Sequence, residues 1–308
     1  MNKTTNAVVA IAGILAASFL PARGQSTSAA WSTLAPMPTA RQEISVAVLD
    51  GKVFVIGGYD ANGQSTATVE VYDPRANAWM RAAPLPIATN HNAAATVNGR
   101  LYAFGGTSPR AFVYDAGREA WPEVASMRYL HGGTPAVAVI GGKIYVAGGT
   151  GPDMVGHELE VYDPSVDKWQ VLAPMNVPRN HTAGGVVGGR FYVVGGRGSP
   201  DASTAHEVYD PATNTWATRA PLPTGRSGIA AGVVGERLYV FGGEIPRLFG
   251  EVEVYDPATD RWQSLAPMPE PRHGIVAGVI GNIIYIPGGG TRQGLGATNV
   301  NSAFHVRP

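Results

Sequence analysis

The fold of this chain is decided by a pattern that residues 190–216 contain in full, RFYVVGGRGSPDASTAHEVYDPATNTW. An apolar run ending at Val194 is followed by the pair Gly195-Gly196, the triplet Val208-Tyr209-Asp210 and a Trp at 216. The same set returns along the chain at a near-constant spacing, which indicates an internal repeat. Every Trp of the chain occupies the same place in that repeat, at positions 31, 79, 121, 169, 216 and 262.

The other markers of the repeat keep step with the Trp residues. Glycine pairs begin at positions 57, 105, 148, 195, 242 and 288, Val-Tyr-Asp begins at 71, 113, 161, 208 and 254, and Phe304 takes the Tyr place in the last unit. Each unit therefore contains four short strands, which we name a to d. Strand a is small and apolar, strand b precedes the glycine pair, strand c carries Val-Tyr-Asp and strand d begins at Trp. Since no segment keeps a helical period, the sequence predicts an all-β fold.

This set of glycine pairs, Tyr-Asp and Trp resembles the kelch motif, and the resemblance covers residues 31–308. It implies a six-bladed kelch β-propeller with four antiparallel strands per blade. The first Trp strand, residues 31–36, has no strand a, b or c before it, while the last unit has no strand d after it. We therefore expect the N-terminal strand at residues 31–36 to complete the last blade and close the ring.

The N-terminal residues 1–24 are typical of a secretory signal peptide. Lys3 precedes an apolar run from Ala7 to Leu20, and Ala22 and Gly24 occupy the −3 and −1 positions of a cut before Gln25. An uncleaved anchor is the alternative, but the run is shorter than the ~20 residues that span a bilayer. We expect a short linker at 25–30, a propeller at 31–308, a periplasmic or secreted location and no membrane span after cleavage.

Composition excludes several classes of function. The formal net charge is +0 and no run of Lys or Arg occurs, which argues against nucleic acid as a partner. The chain contains no Cys, so it is neither a disulfide scaffold nor a copper radical oxidase, a kelch-propeller class whose cofactor needs a Cys joined to Tyr. Metalloprotease, P-loop and nucleophile-elbow motifs are absent from the sequence, and we expect no cofactor.

Loop lengths identify the face that varies between units. From the second glycine of each pair to Val of Val-Tyr-Asp the spacing is 13, 7, 12, 12 and 11, whereas Asp of that triplet precedes Trp by six in all five cases. Nearly all variation therefore falls in the loop between strands b and c. Because the b-c and d-a loops of an antiparallel blade emerge on the same face, we expect that face to bind the ligand.

The first residues of strand a supply the candidate site, since the resemblance implies that this strand is innermost and that it rings the mouth of the axial channel. Counting back 16 residues from each glycine pair gives the first position, which holds Arg41, Thr89, Gly132, Arg179, Arg226 and Arg272. The second position holds Gln42, Asn90, Gly133, Asn180, Ser227 and His273. The third holds Glu43, His91, Thr134, His181, Gly228 and Gly274. Kelch substrate adaptors, which the chain resembles, hold a peptide or acidic ligand at the last two positions.

From these positions we predict a set of ligand-binding residues. They are Gln42, Glu43, Asn90, His91, Asn180, His181, Arg226, Ser227, Arg272 and His273. For the arginines, hydrogen bonding to loop carbonyls is the open alternative. His91 and His181 occupy equivalent places in two units, but no carboxylate is spaced locally to complete a metal site, so we predict none.

Two functions stay open at this point. The first is a monomeric, non-catalytic module that recognises a protein segment or a carbohydrate. The second is a sugar-acid mutarotase or epimerase resembling N-acetylneuraminate epimerase, in which Glu43, His91 and His181 would act as general acid and base. Its substrate carboxylate would bind an arginine, for which the sequence offers Arg226, Arg247 and Arg292.

Overall fold

The computed structural model describes Met1 and residues 30–150, 156–198 and 201–307, so the predicted signal peptide and all but the last linker residue lie outside the described residues. Within them, the chain forms six four-stranded antiparallel sheets and no helix. The first strand of each sheet contacts its counterparts in the two neighbouring sheets, around a closed ring. The predicted six-bladed β-propeller is therefore confirmed. No helix of the described chain has the length and apolarity that crossing a membrane requires.

The strands of blades 1 to 3 follow one another in chain order. Blade 1 contains β2 (Ser45–Leu49), β3 (Lys52–Ile56), β4 (Val69–Asp73) and β5 (Ala78–Ala82). Blade 2 contains β6 (Ala93–Val97), β7 (Arg100–Phe104), β8 (Ala111–Val113) and β9 (Glu123–Val124). Blade 3 contains β10 (Ala136–Ile140), β11 (Lys143–Ala147), β12 (Leu159–Asp163) and β13 (Lys168–Leu172).

Blades 4 and 5 repeat this order, and blade 6 departs from it in its outer strand. Blade 4 contains β14 (Ala183–Val187), β15 (Arg190–Val194), β16 (His206–Asp210) and β17 (Thr215–Thr218). Blade 5 contains β18 (Ala230–Val234), β19 (Arg237–Phe241), β20 (Val252–Asp256) and β21 (Arg261–Leu265). Blade 6 contains β22 (Gly278–Ile280), β23 (Ile283–Pro287), β24 (Asn301–His305) and, outermost, β1 (Trp31–Thr33).

The N-terminal strand closes the ring as the sequence predicts. In β1, Trp31 lies opposite Phe304 and Thr33 lies opposite Ser302 of β24, in an antiparallel register. The Ser32 hydroxyl lies 2.8 Å from His305 Nε2 across the same pair. Pro287 is the last residue of β23, and its missing N–H costs little there because β22 begins too late to pair with it.

The core lies between neighbouring blades, where aromatic side chains of adjacent sheets meet. Tyr102 and Phe104 of blade 2, for example, pack against Tyr162 and Trp169 of blade 3. On the axis, the strand-a residues surround a cavity of about 300 Å³, lined mainly by small apolar side chains and by backbone. Burial between blades thus fixes the frame that carries the loops.

A repeated hydrogen-bond clamp joins the c-d turn and the strand-d Trp of a blade to the end of strand d of the preceding blade. Ala35, which follows β1, receives the Trp79 Nε1–H of blade 1 on its carbonyl at 2.8 Å and donates its own N–H to Asn77 Oδ1 at 2.9 Å. The same Trp bond ends on Ala83, Ala125, Ala173 and Ala220 at the next four junctions. In the described chain, Trp31 Nε1 has no such partner. The clamp explains why Trp always follows Asp at a spacing of six residues.

Candidate functional site

A ring of backbone hydrogen bonds encircles the axis where the d-a loops meet the innermost strands. Five blades each contribute one residue with positive φ whose N–H donates to the ring residue of the preceding blade, as from His91 to Glu43 at 2.8 Å and from Gly274 to Gly228 at 2.9 Å. In blade 3 two adjacent residues share this position, since the Thr134 N–H donates to the His91 carbonyl and the Gly133 carbonyl accepts from His181. The side chains of this ring are therefore fixed by the backbone of six blades. Three ring positions are glycine, and three carry Glu43, His91 and His181.

The third unit differs from the predicted assignment by one residue. His131 occupies the place of the arginines, because its Nδ1 bonds the Gly148 carbonyl and its Nε2 lies 3.2 Å from Glu160. Gly132 then takes the second position, paired with Thr150, and Gly133 takes the ring position, where its carbonyl accepts the His181 N–H. Our count of 16 placed Gly132, Gly133 and Thr134 one position too early, since Thr134 is an inserted residue.

The arginines of the first position belong to the scaffold. Arg226 is fully buried, and its guanidinium donates to the Gly242 and Thr224 carbonyls and pairs with Glu253. Arg272 is equally buried and donates to the carbonyls of Ile286 and Gly288 and to Ser302 Oγ. These contacts argue against the ligand role predicted for Arg226 and Arg272 and favour the structural alternative.

Ring closure brings Glu43 to the two histidines. His91 Nε2 lies 3.3 Å from Glu43 Oε2 and 3.1 Å from His181 Nε2, and Thr134 Oγ1 donates to Glu43 Oε2 at 3.3 Å. His91 and His181, which occupy equivalent places in blades 2 and 4, thus face one another near the axis. The carboxylate that appeared to be missing comes from another blade.

Two asparagines orient these imidazoles from the position before each histidine. Asn90 Oδ1 contacts His91 Nδ1, while the Asn90 amide nitrogen donates to Ser65 Oγ at 2.7 Å. Asn180 Oδ1 lies 2.7 Å from His181 Nδ1. Because an amide oxygen only accepts, Nδ1 of both histidines is the donor in these contacts, and their Nε2 atoms face the cluster.

The first residue after three of the glycine pairs also reaches the cluster, and the sequence alone did not identify it. Arg197 donates from Nη2 to His181 Nε2 at 2.9 Å and from Nη1 to Glu244 Oε1 at 2.9 Å. The Tyr59 ring packs edge-on against His91, with centroids 5.5 Å apart. Arg197, Glu244 and Tyr59 share one register position, opposite the second position of strand a. That shared register was the signal available in the sequence.

Most of the predicted site residues are covered. The b-c loop of blade 6 folds over the ring, and Gln42 bonds the backbone of Gly294 and Gly296 at 2.6 Å each. His273 Nε2 contacts the Arg292 carbonyl in the same loop. Ser227 is also fully buried. Among the described residues of the cluster, Tyr59, His91 and Arg197 are partly exposed, with side-chain exposures of 17% for His91 and 26% for Arg197.

Burial and mutual charge set the protonation of the cluster. Burial alone would raise the pKa of Glu43, but His91, His273 and His181 lower it well below its usual range. Burial lowers the pKa of His181 to about 3, against the opposing effect of Glu43. Burial also acts to lower the pKa of His273, but Glu43 and Glu244, each 3.5 Å from its Nδ1, raise it overall. At neutral pH the cluster therefore combines an ionised Glu43 with a neutral His181.

Fold and site together define a kelch-type propeller with a polar cluster on the face of its b-c and d-a loops. The model of the KLHDC2/KLHL20/DRC7 Kelch-repeats domain matches residues 112–290, and that of the Kelch motif matches residues 40–86. Because the first match covers more than half of the chain, the chain belongs to the kelch-repeat family.

Individual relatives are similar over short stretches. Beta-scruin of Limulus polyphemus is 46% identical over 44 residues, 14% of this chain and 5% of the relative, and kelch-like protein 35 of Mus musculus is 27% identical over 97 residues, 32% of this chain and 17% of the relative. These matches span only a small part of the relatives' length. The solved structure of YjhT superposes with a TM-score of 0.76 at 18% identity, covering 89% of this chain and 97% of YjhT. That likeness concerns the fold alone.

Proposed function

We propose that this protein is an exported binding module that recognises a protein segment or a glycan on the face of the b-c and d-a loops. One observation carries the proposal: Tyr59, His91 and Arg197 converge, partly exposed, above a buried charged cluster that six blades hold in place. A rigid frame with a few accessible polar groups is typical of a recognition surface.

The opposite face supports this assignment by contrast. Its c-d turns are committed to the clamp between blades, as at Asn214, whose Oδ1 accepts from Tyr209 and from the Ala173 N–H. Asn77, Asp167 and Asp260 make the same pair of bonds in their blades. Turns that make the same bonds in four blades offer few distinct groups with which to recognise a ligand.

The accessible groups favour a ligand with an acidic or hydroxyl group and a flat apolar surface. The Arg197 guanidinium can donate to a carboxylate in a bidentate manner, and the Tyr59 ring offers a face on which a sugar or a side chain can pack. Glu244 keeps the guanidinium oriented in the absence of ligand.

The test is a thermal-shift screen of the mature protein against sugar acids, neutral oligosaccharides and acidic peptides, because a ligand that binds the folded state raises the melting temperature. For a hit, we expect Arg197→Ala and Tyr59→Ala to weaken binding while Thr213→Ala, an exposed change on the opposite face, leaves it unchanged. Loss of binding in Thr213→Ala alone would place the ligand on the other face and contradict the proposal.

A second candidate, the sugar-acid mutarotase, is favoured by the contact of His91 Nε2 with Glu43 Oε2 at 3.3 Å, which places side by side two groups that can take up and return a proton. Arg197 would then bind the substrate carboxylate in place of Arg226, which is fully buried. Anomeric exchange of N-acetylneuraminate, followed by NMR, should be accelerated by the protein and not by Glu43→Gln. Equal exchange with and without protein would remove this candidate.

The export and the monomeric state are part of the same proposal. Expression of the whole chain in a Gram-negative host should yield a periplasmic protein cleaved before residue 31, and size-exclusion chromatography with light scattering should give one chain per particle. Retention of the uncleaved chain in the membrane fraction would favour the anchor instead.

A further inference from the structure

We propose that Glu43, His91 and His181 form a binding site for one divalent transition-metal ion. The ligating atoms of the three side chains all lie within 4.8 Å of one another. Two imidazoles and one carboxylate are a donor set that zinc and related ions prefer, and three protein ligands leave further coordination positions open. The inference is independent of the proposed binding function, because it stands on the geometry of these three residues.

The distances between the donor atoms fit an ion placed among them. With metal–nitrogen bonds of 2.0–2.1 Å, two Nε2 atoms 3.1 Å apart subtend an angle of about 98° at the metal. The separation of 3.3 Å between His91 Nε2 and Glu43 Oε2 gives about 105°. Both values lie between octahedral and tetrahedral geometry. Rotation of the Glu43 carboxylate can adjust the remaining distance, from Glu43 to His181.

The tautomers of the histidines are the second, independent observation. With Nδ1 of each histidine donating to its asparagine oxygen, the two Nε2 atoms face each other 3.1 Å apart, where a metal ion can bind both in place of a proton. A hydrogen bond from the second ring nitrogen to a fixed oxygen is also what orients histidine ligands in metal sites. Asn90 and Asn180 are therefore positioning residues of the site.

Arg197 occupies the place of the cation in the metal-free cluster. Its Nη2 donates to His181 Nε2, the atom that would bind the metal. The positive guanidinium would also repel the positive ion. The side chain is partly exposed and keeps a second partner in Glu244, so it can withdraw while remaining paired. Removing Arg197 should therefore strengthen metal binding. A purely structural role for Arg197 would not predict a change in this direction.

The experiment is a titration of the untagged, metal-stripped mature protein with Zn²⁺ by calorimetry, with Co²⁺ as the spectroscopic probe. We expect one ion per chain and visible d–d bands from Co²⁺. The Glu43→Gln, His91→Ala and His181→Ala variants should each weaken binding by more than about 100-fold, and Asn90→Ala by about 10–100-fold. Arg197→Ala should bind more tightly than the wild type.

Matched controls keep the result interpretable. His157→Ala removes an exposed imidazole outside the cluster and should bind as the wild type does. Near-UV circular dichroism of each variant verifies that the ring has formed, and Glu43→Gln, which conserves shape, serves where a histidine variant does not fold. The proposal is wrong if the wild type binds no stoichiometric Zn²⁺ or Co²⁺, or if Glu43→Gln and His91→Ala bind them unchanged.

Discussion

Replacing Arg226 with methionine tests whether the arginines at the start of strand a hold the blades together. The Arg226 side chain is fully buried, donates from Nε to the Gly242 carbonyl at 2.7 Å and from Nη1 to the Thr224 carbonyl at 2.8 Å, and pairs with Glu253. Methionine fills much of the same volume without a charge. The change therefore removes the electrostatic partner while retaining most of the packing.

The expected cost follows from the charge that remains. Glu253 is 2% exposed and would keep the hydrogen bond from Thr224 Oγ1 at 3.0 Å while losing its guanidinium. Breaking a buried ion pair from one side typically costs about 3–5 kcal/mol, because an uncompensated charge stays in the interior. In the double variant Arg226→Met/Glu253→Gln no charge remains, and the loss should be at least ~2 kcal/mol smaller than in Arg226→Met.

Urea unfolding followed by Trp fluorescence and far-UV circular dichroism measures these free energies. Arg190→Met is the matched control, since Arg190 pairs with Asp210 at the surface with half of its side chain exposed, and we expect a change within about 0.5 kcal/mol. If Arg226→Met unfolded within the same 0.5 kcal/mol of the wild type, or if the double variant lost as much as the two single changes combined, the structural role would be refuted.

Further predictions concern closure of the ring, the clamp between blades and pH. Deleting residues 31–36 exposes the edge of β24 and should cause self-association or a large fall in melting temperature, whereas a monomer of unchanged stability would contradict the closure. Trp169→Phe removes the bond to the Ala125 carbonyl and should lower the free energy of unfolding by ~1 kcal/mol more than Trp31→Phe does, because Trp31 Nε1 makes no such bond. Equal losses of stability in urea unfolding would show that the clamp does not stabilise the fold. Burial lowers the pKa of His206 to about 4, so the unfolded chain takes up the proton first, and stability should fall as pH decreases from ~6.5 towards 4. His206→Phe should lose that part of the pH dependence in urea midpoints measured across this range, and an unchanged profile would show that His206 is not its source.

The fold could be predicted because its determinants recur locally. Each glycine pair combines positive φ with a close approach of backbones; a Cβ at Gly58 would lie 2.6 Å from the Gln42 carbonyl oxygen. Five of the six Trp side chains make the same bond to the preceding blade within the described chain, so one interpretation of the repeat applies to almost every unit. The third unit was assigned incorrectly because one inserted residue, Thr134, shifts a count made by spacing alone.

The site could be predicted only in part, because it is assembled across blades. His91 and His181 were identified from equivalent positions, but their contact with Glu43 depends on the curvature of the ring. Arg197 and Tyr59 follow the glycine pairs and enter the site by pairing with strand a, which a reading of strand a alone does not reveal. Burial of Gln42 and His273 results from the b-c loop of blade 6, whose path no local pattern indicates.

The missing bond at Trp31 has a consequence for the order in which the ring opens. Five Trp side chains of the described chain tie a blade to its predecessor, but the junction between blades 5 and 6 lacks this tie. The same junction includes β1, which is short and contacts residues more than 270 positions away, as from Ser32 to His305. Local unfolding therefore costs least there, and backbone amides of β1 and β24 should exchange with deuterium before those of β19, while the other blades keep their protection.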